Sequence, residues 1–236
     1  MCGRYVLAAP DDLSERFTAD QLNFAFESTF NAAPSQYLPV IVEVAPDHWQ
    51  IQLMHWGLLP RWKSKKPLPP PINARAETVS EKPMFRSLVA NRRCLVPASG
   101  FFEWQNRGEG ERKQPYFIHV KDEPIIAFAG LWDETRPENA SDSVSGSFTI
   151  ITTGASKSMS SLHHRMPVIL ERNEEALWLA SDVDEPDAVL PLLDPYPEGR
   201  IEAFPVSTNV NNVRNNDPSL IAPDETEREP EQGNLF

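Results

Sequence analysis

Cys94-Leu95-Val96-Pro97-Ala98-Ser99-Gly100-Phe101-Phe102-Glu103-Trp104 reads as β-strand from end to end, its apolar and aromatic run interrupted only by Ser99, Gly100 and Glu103. Runs of the same character surround it: Tyr37–Val44 and Trp49–Trp56 before it, then Tyr116–Val120, Ile125–Trp132, Ser147–Thr153, Pro167–Leu170 and Ile201–Val206 after it. Many short strands separated by turn residues predict a curved or barrel-like, mainly antiparallel sheet. Helical stretches are fewer: Pro10–Thr18, Pro83–Arg92 and Glu174–Ala180. Each has proline or acidic residues near its start, where a missing N–H costs nothing and negative charge meets the helix dipole. The expected fold class is therefore α+β, β-rich, with a few peripheral helices.

At 236 residues the chain can bury a substantial core. Residues 1–222 are expected to form one domain. From 223 to 236 the sequence is acidic, proline-bearing and nearly devoid of core residues, which predicts a disordered tail. Lys63–Pro71 (KSKKPLPPP) predicts an exposed basic loop, and Gln105–Gln114 and Glu134–Gly146 predict further surface loops. Two cysteines, Cys2 and Cys94, without an apolar leader segment point to a reducing cytoplasmic compartment and away from a disulfide framework. No run approaches the ~18 apolar residues of a membrane span. A monomer is the default expectation.

The net charge of −12 would argue against a nucleic-acid partner if it were evenly spread. It is not: residues 171–236 hold 4 basic and 16 acidic residues, whereas 55–100 hold 9 basic and 2 acidic. The basic stretch also contains Trp56, Trp62 and Phe85. Cations interleaved with aromatics suit single-stranded nucleic acid, where charges meet phosphates and rings stack on bases; a solvated basic face has the same composition.

Cys2 stands where removal of Met1 would leave it N-terminal, with an α-amine and a thiol on neighbouring carbons. Reference pKa values of about 8 and about 8.5 leave both partly nucleophilic near neutrality. Such a 1,2-aminothiol can take an aldehyde as an imine and then close a thiazolidine ring; an ordinary buried thiol is the alternative. Four segments place polar groups in apolar, strand-like surroundings: Ile72–Thr78 (INARAET), Pro97–Trp104, Leu162–Pro167 (LHHRMP), and Pro205-Val206-Ser207 followed by Val210-Asn211. Glu103, between Phe102 and Trp104, is either desolvated, which would raise its pKa toward acid–base use, or points outward on an alternating strand. His163 or His164 could move a proton at neutral pH. Neighbours on a strand face opposite ways, and neither cysteine has zinc-site spacing, so no metal and no cofactor are expected. A phosphate-binding loop and a Gly-x-Ser-x-Gly elbow are both missing from the sequence.

Taken in order, MCGRY, WGLLPRW, NARAET, CLVPASGFFEW, HHRMPVIL and PVS…VN resemble the SRAP family of abasic-site-processing proteins, from Cys2 to about Pro223. The resemblance implies a single domain with a positively charged groove. It also implies an enzyme that crosslinks itself to abasic sites in single-stranded DNA, with lyase-like chemistry at the sugar, shielding the lesion during the DNA damage (SOS) response. Carried over by motif, the catalytic set is Cys2, Asn73, Glu103 and His163. Arg4, Arg75 and Arg165 are implied DNA contacts, and Trp62, Met84, Phe85 and Arg86 are weaker ones. The central motif reads GFFEW where the family often has tyrosine third; the glutamate is retained.

Two other functions fit parts of the sequence. One is a self-processing N-terminal-nucleophile peptidase, in which a free amine activates the thiol. The other is a non-catalytic single-strand-binding module, which would bind without regard to the lesion aldehyde. Finally, Gln232-Gly233-Asn234-Leu235-Phe236 matches Q-x-x-L-F, resembling the peptide by which bacterial repair proteins enter a replication sliding clamp; Gln232, Leu235 and Phe236 are the anchors this implies.

Overall fold

The run from Cys94 to Trp104 is two strands, not one. A computed structural model describes residues 2–21, 24–60, 69–108, 110–183 and 185–224. In chain order its strands are β1 (Tyr5–Leu7), β2 (Asp20–Gln21), β3 (Thr29–Ala32), β4 (Tyr37–Ala45), β5 (His48–Trp56), β6 (Asn73–Arg75) and β7 (Arg93–Ala98). They continue with β8 (Gly100–Gln105), β9 (Gln114–Val120), β10 (Ile126–Asp133), β11 (Val144–Gly154), β12 (Arg165–Pro167), β13 (Ile169–Leu170) and β14 (Ile201–Pro205). The helices are α1 (Leu13–Phe17), α2 (Arg86–Asn91), α3 (Arg172–Leu179) and α4 (Pro186–Val189).

Ser99 is the corner between β7 and β8. Its amide donates to Val6 O at 2.6 Å and its hydroxyl accepts from Ala8 N at 3.1 Å, so the turn is tied to the first strand. Gly100 follows because nothing larger fits: a Cβ there would stand 2.5 Å from both Ile118 O and Phe117 Cζ. The chain thereby passes from one sheet to another.

β7 belongs to a closed barrel. The order β5–β4–β7–β10–β11 is antiparallel, and β11 returns to β5 in parallel, Val144–Phe148 lying along Leu53–Trp56. β6 continues that parallel edge, with Asn73–Arg75 against Ile150–Thr152, and β2 also runs parallel to β5. β12 pairs with β11 and β13 crosses to β10, with Val168 bonded to both neighbours between them. β8 belongs to a second, open and antiparallel sheet ordered β14–β9–β8–β1–β3. The barrel-like expectation holds, and the mainly antiparallel one holds except at this parallel seam.

The two sheets share one core. Tyr5 of β1 packs on Trp56 of β5 at 5.2 Å between ring centroids, and Phe101 of β8 meets Phe128 of β10 edge-on at 5.9 Å. All four rings are fully buried, each contributing roughly 1.5–3 kcal/mol by burial. A smaller cluster of Val6, Phe102, Phe117, Val206, Val210 and Leu220 covers the other face of the open sheet.

Pro10–Thr18 is a 3-10 turn followed by α1, which stops at Thr18 in the left-handed conformation (φ 51°). The stretch expected at Pro83–Arg92 is helical only from Arg86, Pro83–Phe85 being turn. α3 starts at a reciprocal Glu171–Glu174 capping box. Arg93, 3% exposed, joins the ends of α2 and α3: it donates to Val89 O (2.5 Å), Ala90 O (2.6 Å), Trp178 O (2.5 Å), Val183 O (3.0 Å) and Ala180 O. Pro223 and Asp224, the first two residues of the expected tail, are bonded back to Val206 and Pro205. The rest of that tail, with Gln232, Leu235 and Phe236, lies outside the described residues, as do Met1, Trp62 and most of the Lys63–Pro71 loop. Among the described residues no helix is long and apolar enough to cross a membrane.

Candidate functional site

Cys2-Gly3-Arg4 leads directly into β1. The β1–β8 ladder pairs Tyr5 with Phe101, and Phe102 N donates to Arg4 O at 3.0 Å, so Gly3 and Cys2 run on alongside Glu103 and Trp104. Cys2 has no exposed surface, and its Sγ lies 4.0 Å from Arg4 O. Burial, and then the negative charge of Glu103, push its thiol well above the ordinary cysteine range.

Glu103 is 3% exposed, which decides between the two orientations the sequence left open. Side chains two apart on a strand share a face, so Glu103 follows Phe101 toward the barrel. Both Phe101 and Phe102 are fully buried because each face of the open sheet is covered.

His163 meets Glu103 there, with Nδ1 3.8 Å from Oε1. The same Nδ1 lies 3.0 Å from both the amide nitrogen and the carbonyl oxygen of Arg165. Arg165 N–H can donate only to an unprotonated Nδ1, which places the ring hydrogen on Nε2; a protonated Nδ1 donates to Arg165 O instead. The sequence argument that His163 and His164 diverge does not apply. They precede β12 rather than lie in it, and their rings meet tilted at 31° with centroids 4.3 Å apart. His164 is exposed, and its pKa is lowered chiefly by the charge of His163.

β11 brings the remaining motif residues to this end of the barrel. Thr152 pairs with Arg75 of β6 on one side and Pro167 of β12 on the other. The Arg165 guanidinium, 8% exposed, spans the same place, donating to Thr152 O (2.5 Å), Thr152 Oγ1 (3.1 Å) and the carboxylate of Glu77. Arg165 in turn holds the Glu77 carboxyl below its usual range. Asn73 Nδ2 reaches Ile150 O at 3.5 Å, while its Oδ1 is buried without a hydrogen-bond partner among the described residues. Arg75 is exposed.

Arg4 Nη1 donates to Asn31 Oδ1 at 2.8 Å and to Val210 O at 2.9 Å. Sequence reasoning did not single out Asn31, whose only signal was one amide inside the apolar run Phe30–Ala33. Trp104 Nε1 donates to Asn211 Oδ1 at 2.7 Å, fastening the Val210-Asn211 motif to β8. Met84 is half-buried and lines a cavity of about 480 Å³ with Leu58, Pro60, Leu88 and Arg92, which the Cys2, Glu103 and His163 group does not line. Phe85 is 5% exposed within the core, and Arg86 is exposed at the start of α2. Among the described residues no group of three or more His, Cys, Asp or Glu side chains is placed to hold a metal ion.

The cluster is thus a buried thiol, a buried carboxylate and an imidazole, with an orphaned amide oxygen and cations nearby. That is equipment for proton transfer beside a nucleophile. The family model "SOS response associated peptidase (SRAP)" matches residues 1–213. Abasic site processing protein YoqW of Bacillus subtilis (strain 168) is 39% identical over 225 residues, covering 94% of this chain and 99% of that protein. Abasic site processing protein HMCES of Xenopus tropicalis is 33% identical, covering 94% and 78% respectively. Among solved structures, a structural-genomics protein from Bacteroides thetaiotaomicron superimposes with a TM-score of 0.80 at 28% identity, covering 94% of this chain and all of that one.

Proposed function

The chain belongs to the SOS response-associated peptidase (SRAP) family, and from that premise we propose that it processes abasic sites in single-stranded DNA by joining itself to the lesion through Cys2 once Met1 is removed. The names of its relatives support the substrate, abasic sites. The observation that carries the chemistry is the Cys2–Glu103–His163 cluster, in which burial, and then a buried carboxylate 3.8 Å from an imidazole, raise the pKa of the Cys2 thiol.

An abasic deoxyribose opens to an aldehyde at C1′ when a proton reaches O4′, and His163 is the group assigned to that transfer. The Cys2 thiol is held protonated by burial and by Glu103, so the α-amine attacks C1′ first. Glu103 shuttles the protons by which the carbinolamine loses water to give an imine. Sulfur then bonds to C1′ as the thiol proton passes to nitrogen, closing a thiazolidine. One water is released and nothing is oxidised or reduced. The orphaned Asn73 Oδ1 is suited to accept an N–H of the reacting amine without adding charge.

Arg4, Arg75 and Arg86 supply cations for flanking phosphates, and Arg165, its guanidinium bound to Glu77 and Thr152, braces His163 through its backbone amide. Met84 offers an apolar contact, and Trp62 keeps its stacking role from sequence alone. The product would shield the lesion from other chemistry during the damage response. A denaturing-gel crosslinking assay on an abasic single-stranded oligonucleotide tests the proposal. Wild type should form a covalent adduct and Cys2→Ala none; equal yields would overturn it. An intact strand run in parallel separates lesion chemistry from simple strand binding.

A further inference from the structure

Asn31 of β3 is 1% exposed and uses both ends of its amide. Its Oδ1 accepts from Arg4 Nη1 at 2.8 Å, and its Nδ2 faces Val210 O, Asn212 O and Asn215 O at 3.2, 3.1 and 2.9 Å. The Asn-rich segment it holds is also self-braced, with Asn215 Nδ2 on Asn209 O at 2.8 Å and Arg214 N on Asn212 Oδ1 at 3.1 Å. Asn216 closes the arrangement by taking Phe30 N of β3 at 2.6 Å.

The effect falls on Arg4. Its backbone is fixed by Phe102, two positions from Cys2. The two hydrogens of Nη1 go to Asn31 and Val210, leaving Nε and Nη2, the other edge of the guanidinium, without a partner among the described residues. That edge carries parallel N–H groups in the geometry that takes two oxygens of one phosphate. Arg4 has no carboxylate partner among the described residues, and a neutral amide orients it without cancelling its charge.

We infer that Asn31 is a positioning residue, locking Arg4 against the 209–216 segment so that the Nε–Nη2 edge meets a phosphate beside the lesion. This rests on the single-strand abasic-site reading above, and the two can fail separately. The test measures equilibrium binding to a single-stranded oligonucleotide bearing a tetrahydrofuran abasic analogue, which lacks the aldehyde, across a salt series. Each phosphate neutralised on a single strand contributes about 0.7 to the slope of log K against log salt. Arg4→Gln and Asn31→Ala should each flatten the wild-type slope by about 0.7, so that a fourfold rise in salt costs them about 2.6-fold less affinity. The double variant should flatten it no further. Asn31→Ser, which removes the acceptor from Arg4 but keeps a small polar group beside Val210, reads the same quantity if Asn31→Ala does not fold. A wild-type slope in the Asn31 variant, even with weaker binding, would mean a purely structural role and overturn the inference, as would a wild-type slope for Arg4→Gln. Failure of the wild type to bind at all would instead sink the parent reading.

Discussion

Burial, and then Glu103, push the Cys2 thiol above the ordinary cysteine range, and on the proposed mechanism this sets the order of events at the site. Glu103 is the second cause of its raised pKa, so Glu103→Gln should bring the Cys2 thiol down toward the ordinary range while burial holds it above. The same variant should slow crosslinking by about 10²–10⁴-fold without abolishing it, measured as a single-turnover rate, because proton shuttling is lost but both nucleophiles remain. Glu77 is a residue with a different pH signature. Arg165 holds its carboxyl below the ordinary value, so the pair's contribution is present above about pH 4.3 and is lost as the pH falls through the lower folded value. Glu77→Gln should therefore lower Tm by a small amount at pH 7, because the Glu77 side chain is 52% exposed, and leave it unchanged in acid, so that the acid limb of Tm against pH is shallower. Residue chemistry was legible where a polar group stood among aromatics, as at Glu103. It was illegible where meaning depends on a distant partner: nothing near Arg165 announces Glu77, and nothing near Asn31 announces Val210.

Strands and helices bring these groups together through a few positions that tolerate no substitution. Gly100→Ala would drive a methyl group into Ile118 O and the Phe117 ring, and should cost about 1–3 kcal/mol in urea unfolding. Because Glu103 lies on the same strand, crosslinking should also slow at saturating DNA. Arg93→Met would remove the guanidinium that five carbonyls at and just beyond the ends of α2 and α3 share, a loss of about 3 kcal/mol or more. Arg93→Lys should recover only part of it, because one ammonium cannot reach both helix ends. Long strands with dense β-branched and aromatic residues, such as β4, β5, β10 and β11, were visible in the sequence. The break at Ser99 was not, because Ser99 and Gly100 interrupt the apolar run for only two residues and the corner is held by a bond to the distant Val6. β1, β2, β3 and β6 have two to four residues each, too few for a period to show, and β1, β3 and β6 carry or adjoin Cys2, Asn31 and Asn73.

Across the whole molecule, a closed barrel is joined to an open sheet, and the two should differ in how they open. A strand inside the barrel has neighbours on both sides, so the amides of β7 and β10 are expected to exchange hydrogen only through global unfolding. β3 and β14, the edges of the open sheet, should exchange through local opening. Hydrogen-exchange mass spectrometry with equal protection in both sets would contradict this. Charge segregation was legible from composition because counting needs no fold. Barrel closure was not, because it pairs Leu53 with Val144 across most of the intervening chain and leaves no local trace.

The enclosure of Cys2 also has a consequence in time. Cys2 is made before Glu103 and His163, the partners of its site. At about 5–20 residues per second, Cys2 waits on the order of ten seconds or more before its pocket can exist. On the proposed mechanism, trimming of Met1 belongs to that interval, since the residue an aminopeptidase would leave behind has no exposed surface after folding. Chain that folds with Met1 in place should therefore resist methionine aminopeptidase, and the same chain in urea should lose the methionine readily, as intact mass would show. On the proposed mechanism the nascent chain, rather than the finished protein, is where the reactive end is made.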